Sequence, residues 1–215
     1  ESMLMECYMK AAEKYSGIIY RSMADCRLKF ADYMSDGGKC IAYVKDGNCL
    51  GYAVYYDTKE LLYGEEVMAV NEEAEQIIAD ALIEKGKGKA VTIKLPPDSK
   101  TESPQGEKKV VPKNVCGIAN VSKLLKAVGK NLKNTVKIKD EVIEENNGVF
   151  DLCGNKAEGE AQIEMPVYRF AQWIFGYRSL KELADEGEIK INDALAAEFL
   201  DKELPKQVCH IIDEY

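Results

Sequence analysis

The residue types that carry most protein chemistry are scarce in this chain and badly spaced for it. There is one histidine, His210, and the seven cysteines stand at 7, 26, 40, 49, 116, 153 and 209, with no C-x-x-C among them. A zinc site needs clustered ligands, and a disulfide framework needs an oxidising compartment and paired spacing. The thiols therefore read as reduced, mostly buried side chains of a cytoplasmic protein, and no metal is expected. His210 has no cysteine or carboxylate at ligand spacing and reads as a surface or packing residue. Trp173, Phe175 and Tyr177 lie beside an apolar stripe of Val167, Phe170, Ala171 and Ile174. They either line a lipid-sized or aryl-sized pocket or belong to an ordinary core, and core is the commoner fate of such a stripe. Arg169 and Arg178 are nine residues apart, so they do not share a helix face, and salt bridges to the acidic surface suit them better. Asp213 and Glu214 stand beside Tyr215, where their charge either favours a nearby cationic amine or keeps a chain end solvated.

The net charge of −8 hides three blocks. Residues 1–84 carry 8 basic and 16 acidic side chains, residues 85–139 carry 14 lysines against 3 acids, and residues 140–215 carry 7 basic and 18 acidic. A lysine block between acidic ones can bind an anion. This one has no arginine and no aromatic residue, so it lacks bidentate forks and stacking platforms, which argues against nucleic acid. No run of eighteen apolar residues occurs, so no membrane-spanning helix is encoded. The first residues lack the basic segment of a signal peptide.

The elements that must position these residues follow from the periodicity. Leu4, Tyr8, Ala11 and Tyr15 form a helical stripe over Met3–Tyr15, and Ser22–Met34 is a second helix. The period then changes to two. Cys40–Lys45 and Cys49–Tyr56 read as strands joined across Asp46-Gly47-Asn48, and Leu61–Val70 as a third. Asn71 caps a helix over Glu72–Glu84, and Ala90–Leu95 is a further strand stopped by Pro96-Pro97. The stretch from Pro96 to Lys113 has no apolar period and reads as a domain boundary. Beyond it Asn120 caps a helix through Val121, Leu124, Leu125 and Val128. Thr135–Lys139, Gly148–Leu152 and Ala161–Glu164 fit a small sheet. Pro166 suits the first helical position before the Phe170 stripe. Ser179-Leu180-Lys181-Glu182 is a capping box, and Asp193–Asp201 is a last helix. The fold class is therefore α+β in two domains, with no internal repeat between the halves.

Several phrases resemble a known family. "GIIYRSMADCRLKFADY", followed by "IAYVKDGNCLGYAVYY", resembles the central domain of the Eis (enhanced intracellular survival) acetyltransferases, a degenerate copy of the GNAT fold. "NVCGIANVSKLLKAVG", "VKIKDEVIEENNGVFDL" and "MPVYRFAQWIFGYRSLKELADEGEI" resemble the family's C-terminal sterol-carrier-like domain. The resemblance implies a GNAT-like mixed sheet with helices over 1–100, a linker over 101–113, and a sterol-carrier-like small sheet packed with helices over 114–215. It also implies that the chain is the C-terminal two-thirds of a longer parent, whose N-terminal domain holds acetyl-CoA.

GNAT cofactor sites use a [QR]-x-x-G-x-[GA] loop whose amides cradle a pyrophosphate at a helix start. The nearest match here, Glu84-Lys85-Gly86-Lys87-Gly88-Lys89, stands at a helix end, so no cofactor site is expected in this chain and acetyl-CoA is expected only in the missing domain. In the family the terminal carboxylate helps deprotonate an amine substrate. The resemblance thus assigns a general-base role to the Tyr215 carboxylate, with Trp173, Tyr177, Asp213 and Glu214 on the substrate side. It further implies an amine-bearing small molecule or peptide as substrate, a homo-oligomer (a hexamer in the family), no membrane, and an isolated chain without activity. The alternative is a non-catalytic carrier-like module that binds an apolar small molecule or lipid.

Overall fold

A computed structural model of the chain describes residues 2–103, 106–111 and 116–212. The chain divides into two compact units, Glu1–Pro112 together with Val208–Tyr215, and Lys113–Gln207.

In the first unit, helix α1 (Ser2–Ala12) turns Cys7, Tyr8 and Ala11 inward. Helix α2 (Met23–Ser35) opens on a capping box, in which Ser22 and Asp25 each accept the other's backbone N–H. Strands β1 (Lys39–Lys45) and β2 (Asn48–Asp57) pair antiparallel across Asp46-Gly47. Both turn residues have positive φ, 51° and 77°, the geometry that Asp-Gly adopts at least cost in a tight hairpin. Strand β3 (Leu61–Ala69) pairs antiparallel with β2. Helix α3 (Glu72–Lys85) then carries the chain over to β4 (Ala90–Ile93), which lies parallel to β3. A parallel pair needs such a crossover. The sheet order is β1-β2-β3-β4.

Side chains alternate across this sheet as the pleat requires. Tyr52 and Val54 of β2 join Cys7, Tyr8, Tyr33 and Met68 in one buried cluster. Ala53 and Tyr55 join Leu62, Val67, Ile78 and Leu82 in the other. The sheet is thus covered on both faces. The β3–β4 register ends at Gly64↔Ile93, so Glu65–Ala69 of β3 continue past their parallel partner.

In the second unit, α4 (Val121–Val128) is capped by Asn120, whose side chain accepts the Lys123 N–H. A five-stranded sheet follows in the order β7-β6-β5-β8-β9, made of β5 (Thr135–Lys139), β6 (Gly148–Asp151), β7 (Lys156–Ala157), β8 (Ile163–Pro166) and β9 (Lys190–Ile191). Helix α5 (Val167–Ile174) leaves β8 directly, then come α6 (Leu180–Asp185) and α7 (Ala194–Glu203). Val136, Ile138, Phe150, Ile163, Phe170, Trp173, Leu183 and Leu200 belong to one buried core. Asn146 holds its edge: its carbonyl oxygen accepts the Val121 N–H at 2.9 Å, and its amide donates to the Ile118 carbonyl and the Asp140 carboxylate.

The α+β class and the two domains stand. Five details differ from the sequence reading. Residues 101 and 102, read as the start of the linker, are stitched to α3: the Thr101 hydroxyl donates to Glu75, as does the Ser99 hydroxyl just before it, and Gln76 bonds the Glu102 backbone in both directions. The segment from Val208 onward, read as part of the second domain, returns to the first unit. Pro166 sits at the N-cap of α5, one position earlier than expected. Strands β7 and β9, two residues each, are too short to show a period. Only Cys7, Cys26 and Cys49 are buried; Cys40 and Cys116 are exposed, and Cys153 and Cys209 are intermediate. No helix among the described residues is long and apolar enough to cross a membrane.

Candidate functional site

The sequence-predicted site centres on the C-terminal segment. Asp213, Glu214 and Tyr215 lie outside the described residues. The segment leading to them, Val208–Ile212, is held on the first unit like a short added strand. The Ser16 N–H donates to the Val208 carbonyl at 2.9 Å, and the His210 N–H donates to the Ser16 carbonyl at 2.9 Å, a parallel bridge centred on Ser16 and Cys209. Gly17 lies beneath it at φ +85°, where an added Cβ would meet Ile211 Cγ1 at 2.9 Å. Such an approach leaves room only for glycine. Ile212 is buried in the same cluster as Tyr8, Tyr52 and Met68.

His210 packs edge-on against Tyr15, with ring centroids 5.4 Å apart. Burial pushes its imidazole down to about 4, against the opposing pull of the Asp98 and Glu66 carboxylates. Burial, then the charges of Asp98 and Glu75, pushes the Tyr15 phenol up to about 12. Both rings are therefore neutral at neutral pH. His210 is a packing residue, one of the two roles its spacing left open.

Beside this segment lies a polar cluster that no sequence pattern announced. Arg21 clasps Glu66 with two hydrogen bonds, at 3.0 and 2.9 Å. The Tyr33 and Tyr52 hydroxyls donate to the two oxygens of the same carboxylate, at 3.1 and 2.5 Å. The guanidinium also sits 4.4 Å from the centre of the Tyr8 ring. Burial first, and the Glu66 charge second, hold both phenols above their ordinary range. A carboxylate so fully satisfied has no lone pair in need of a substrate, and its chemistry is that of a brace. Arg21, Tyr33 and Tyr52 stand 45, 33 and 14 residues from Glu66, spacings that no helix or strand period brings together.

The parallel crossover places the α3 N-terminus where it could attract an anion. It is filled by the chain's own groups. The Asn71 side chain accepts the Ala74 N–H at 2.8 Å, and Glu72, Glu73 and Glu75 occupy the first turn. These carboxylates already complement the helix dipole and would repel a phosphate. The glycine run at the other end of α3 forms a stop, with Gly86 at the C-cap and Gly88 at φ +85°.

In the second unit, the two aromatic candidates go to different places. Trp173 is 1% exposed and packs against Phe170 at 6.0 Å. Its indole N–H has no hydrogen-bond partner among the described residues. Tyr177 is 44% exposed, with the Arg178 guanidinium 5.2 Å from its ring centre. Arg169 bridges Glu186 and Glu188, each at 2.8 Å, and Arg178 reaches Glu186 at 3.8 Å. Hollows lie among the described residues of this unit. One, of about 270 Å³, is lined by Lys137, Glu160, Glu164, Lys190 and Asn192. There hydrogen bonds from Asn192 and Lys137 hold Glu164 down at about 2. Another, of about 210 Å³, lies between Lys126, Lys130 and Cys153. Much of the lysine block is spent on local pairs: Lys89 with Asp57, Lys94 with Glu65, Lys100 with Glu72 and Lys137 with Glu164. Among the described residues no group of His, Cys, Asp and Glu could hold a metal ion.

Comparison with known proteins adds the context. A family model described as a sterol carrier protein domain matches residues 121–208. A probable N-acyltransferase from Enterococcus faecalis V583 has a similar structure, with a TM-score of 0.73 at 17% identity over 100% of this chain and 59% of that one. The chain shares its fold with GNAT-type N-acetyltransferases. Eis1 from Mycobacterium abscessus matches at TM-score 0.67, 13% identity, 100% of this chain and 60% of that one. A GCN5-related N-acetyltransferase from Anabaena variabilis matches at TM-score 0.67, 14% identity and the same coverage. A search of curated proteins finds no match. The chain thus spans about three fifths of the length of the structures it resembles.

Proposed function

We propose that this chain is the C-terminal part of an Eis-like, acetyl-CoA-dependent N-acetyltransferase. In this reading the two units supply the substrate side of the cleft and the oligomer interface of a cytoplasmic enzyme. The observation that carries it is the likeness of the whole chain, both units together, to N-acetyltransferase structures of greater length. Acetyl-CoA belongs to a domain outside these residues and supplies the acetyl group when bound there. The carboxylates of the first turn of α3 support that division, since they occupy the one helix N-terminus of this unit that follows a parallel crossover.

The chain's own contribution is positioning and proton transfer. Ser16, Gly17 and Tyr15 hold the segment Val208–Ile212, which carries Asp213, Glu214 and Tyr215. Where Tyr215 is the protein's own C-terminus, its carboxylate takes a proton from the substrate amine, directly or through water. Asp213 and Glu214 draw the protonated amine toward it and raise the pKa of the carboxylate. A fixed base of this kind contributes ~10²–10⁴-fold in rate. Tyr177 is the aromatic candidate that a substrate reaches from solvent, whereas Trp173 belongs to the packed core.

The test uses the complete product of the encoding gene and follows thiol release from acetyl-CoA with a panel of amines. Residues appended after Tyr215 displace the carboxylate and should collapse the rate, whereas Tyr215→Phe should barely change it. Full activity of the extended enzyme would remove the catalytic tail. Absence of acetyl transfer by the complete product would remove the reading itself. The carrier alternative has one observation on its side, the unpartnered indole N–H of Trp173. Saturable binding of a fluorescent fatty acid by residues 1–215 would favour it.

A further inference from the structure

The first unit treats the segment Val208–Ile212 as a ligand. We propose that the surface formed by Tyr15, Ser16 and Gly17 with the adjoining Tyr8–Tyr52–Met68 cluster is a docking groove for an extended, uncharged peptide. Its occupant is this chain's own C-terminal segment, exchangeable for the same segment supplied as a separate molecule. The proposal is independent of acetyl transfer.

Five observations support it. The main-chain contacts are those of strand addition: one residue of the groove, Ser16, donates to Val208 and accepts from His210, skipping the residue between. The side chains then alternate, as in any strand. Cys209 and Ile211 lie over Gly17, whose missing Cβ makes the floor flat. His210 and Ile212 take the other side, against Tyr15 and in the buried cluster respectively. This gives the groove a readable preference: a branched aliphatic residue two positions after a flat aromatic one.

The approach to the groove is also that of a ligand. Pro205, Lys206 and Gln207 are exposed, Val208–Ile211 are half-buried, and burial is complete only at Ile212. The segment brings no permanent charge. Tyr15, Asp98 and Glu66 are the titratable groups that face His210, and burial leaves its imidazole neutral at neutral pH. Finally, all the groove residues lie within the first 112 of the chain, in the same compact unit as the segment they hold.

The test cuts the connection in the folded protein. A site-specific protease sequence is inserted between Gln207 and Val208, at the end of the exposed run Pro205–Gln207, and the full-length protein is cleaved after folding. Native mass spectrometry is expected to find the octapeptide Val208–Tyr215 still bound. A fluorescein-labelled synthetic copy should exchange into the cleaved protein and give a saturable, one-site rise in anisotropy that unlabelled peptide reverses. Peptides carrying Ile212→Asp or His210→Asp should bind at least tenfold more weakly. Three results overturn the proposal. The first is release of the octapeptide with no uptake of the labelled copy at up to millimolar concentration. The second is equal binding of the Ile212→Asp peptide. The third is loss of the near-UV circular dichroism of the unit on cleavage, which would make the segment part of the fold.

Discussion

Arg21 and Glu66 face each other in parallel, two nitrogens to two oxygens, at a place where neither side chain exceeds 5% exposure. The pair joins the loop before α2 to the middle of β3, and Tyr33 and Tyr52 complete it from α2 and β2. Removing one member leaves the other buried and charged, at a cost of ~3–5 kcal/mol. Glu66→Leu should therefore lower the urea midpoint strongly, whereas the double change Arg21→Met with Glu66→Leu should recover most of the loss. A single mutant as stable as the parent would show that water reaches the pair.

Phe170 is fully buried in the second unit, against Trp173. Truncation of such an aromatic leaves a cavity and costs ~3–5 kcal/mol. Phe170→Ala should lower the thermal midpoint of this unit accordingly. An unchanged midpoint would mean that the face around Val167, Phe170 and Ile174 is a pocket or an interface.

His210 predicts a pH dependence. Its folded pKa, about 4, lies below the ordinary value of 6.5. The unfolded chain therefore binds the proton more readily between these values, and stability falls as pH drops through that window. At pH 5 the loss relative to neutral pH is about 2 kcal/mol for this group. His210→Phe keeps a ring against Tyr15 and removes the titration. Urea midpoints at pH 7.5 and pH 5 should differ less in the variant than in the parent, and an equal difference would assign the effect to other groups.

The filled N-terminus of α3 predicts that residues 1–215 do not bind acetyl-CoA. Isothermal titration should show no saturable heat at micromolar protein. A signal corresponding to a micromolar dissociation constant, about −8 kcal/mol, would reveal a site elsewhere in the chain.

The sequence made local features readable wherever one residue type has one geometric use. Asp46-Gly47 requires the hairpin, Asn71 and Asn120 can cap the helices that follow them, and Ser179 with Glu182 forms the capping box where the spacing said it would. What could not be read is long-range. Glu66 looks like one carboxylate among many on a strand, and only folding brings Arg21, Tyr33 and Tyr52 to it. Asn146 is an ordinary polar residue two positions before β6, and nothing in the sequence announces its three buried hydrogen bonds. Val208, Ile211 and Ile212 are apolar enough to anchor the segment. The surface it packs on includes Gly17, a residue nearly two hundred positions away in the chain.

That return of the chain has a consequence for synthesis. The first unit draws on residues translated before the second unit and also on residues 208–212, translated after it. While the second unit is being translated and folded, the groove at Ser16 and the side of the cluster that Ile212 covers stay open. Domains tend to fold in order as they emerge, and exposed strand edges are where nascent chains associate wrongly. This protein passes through that interval every time it is made, so a partner able to shelter the Ser16 edge would act on the nascent chain and lose its purchase once translation has delivered Ile212.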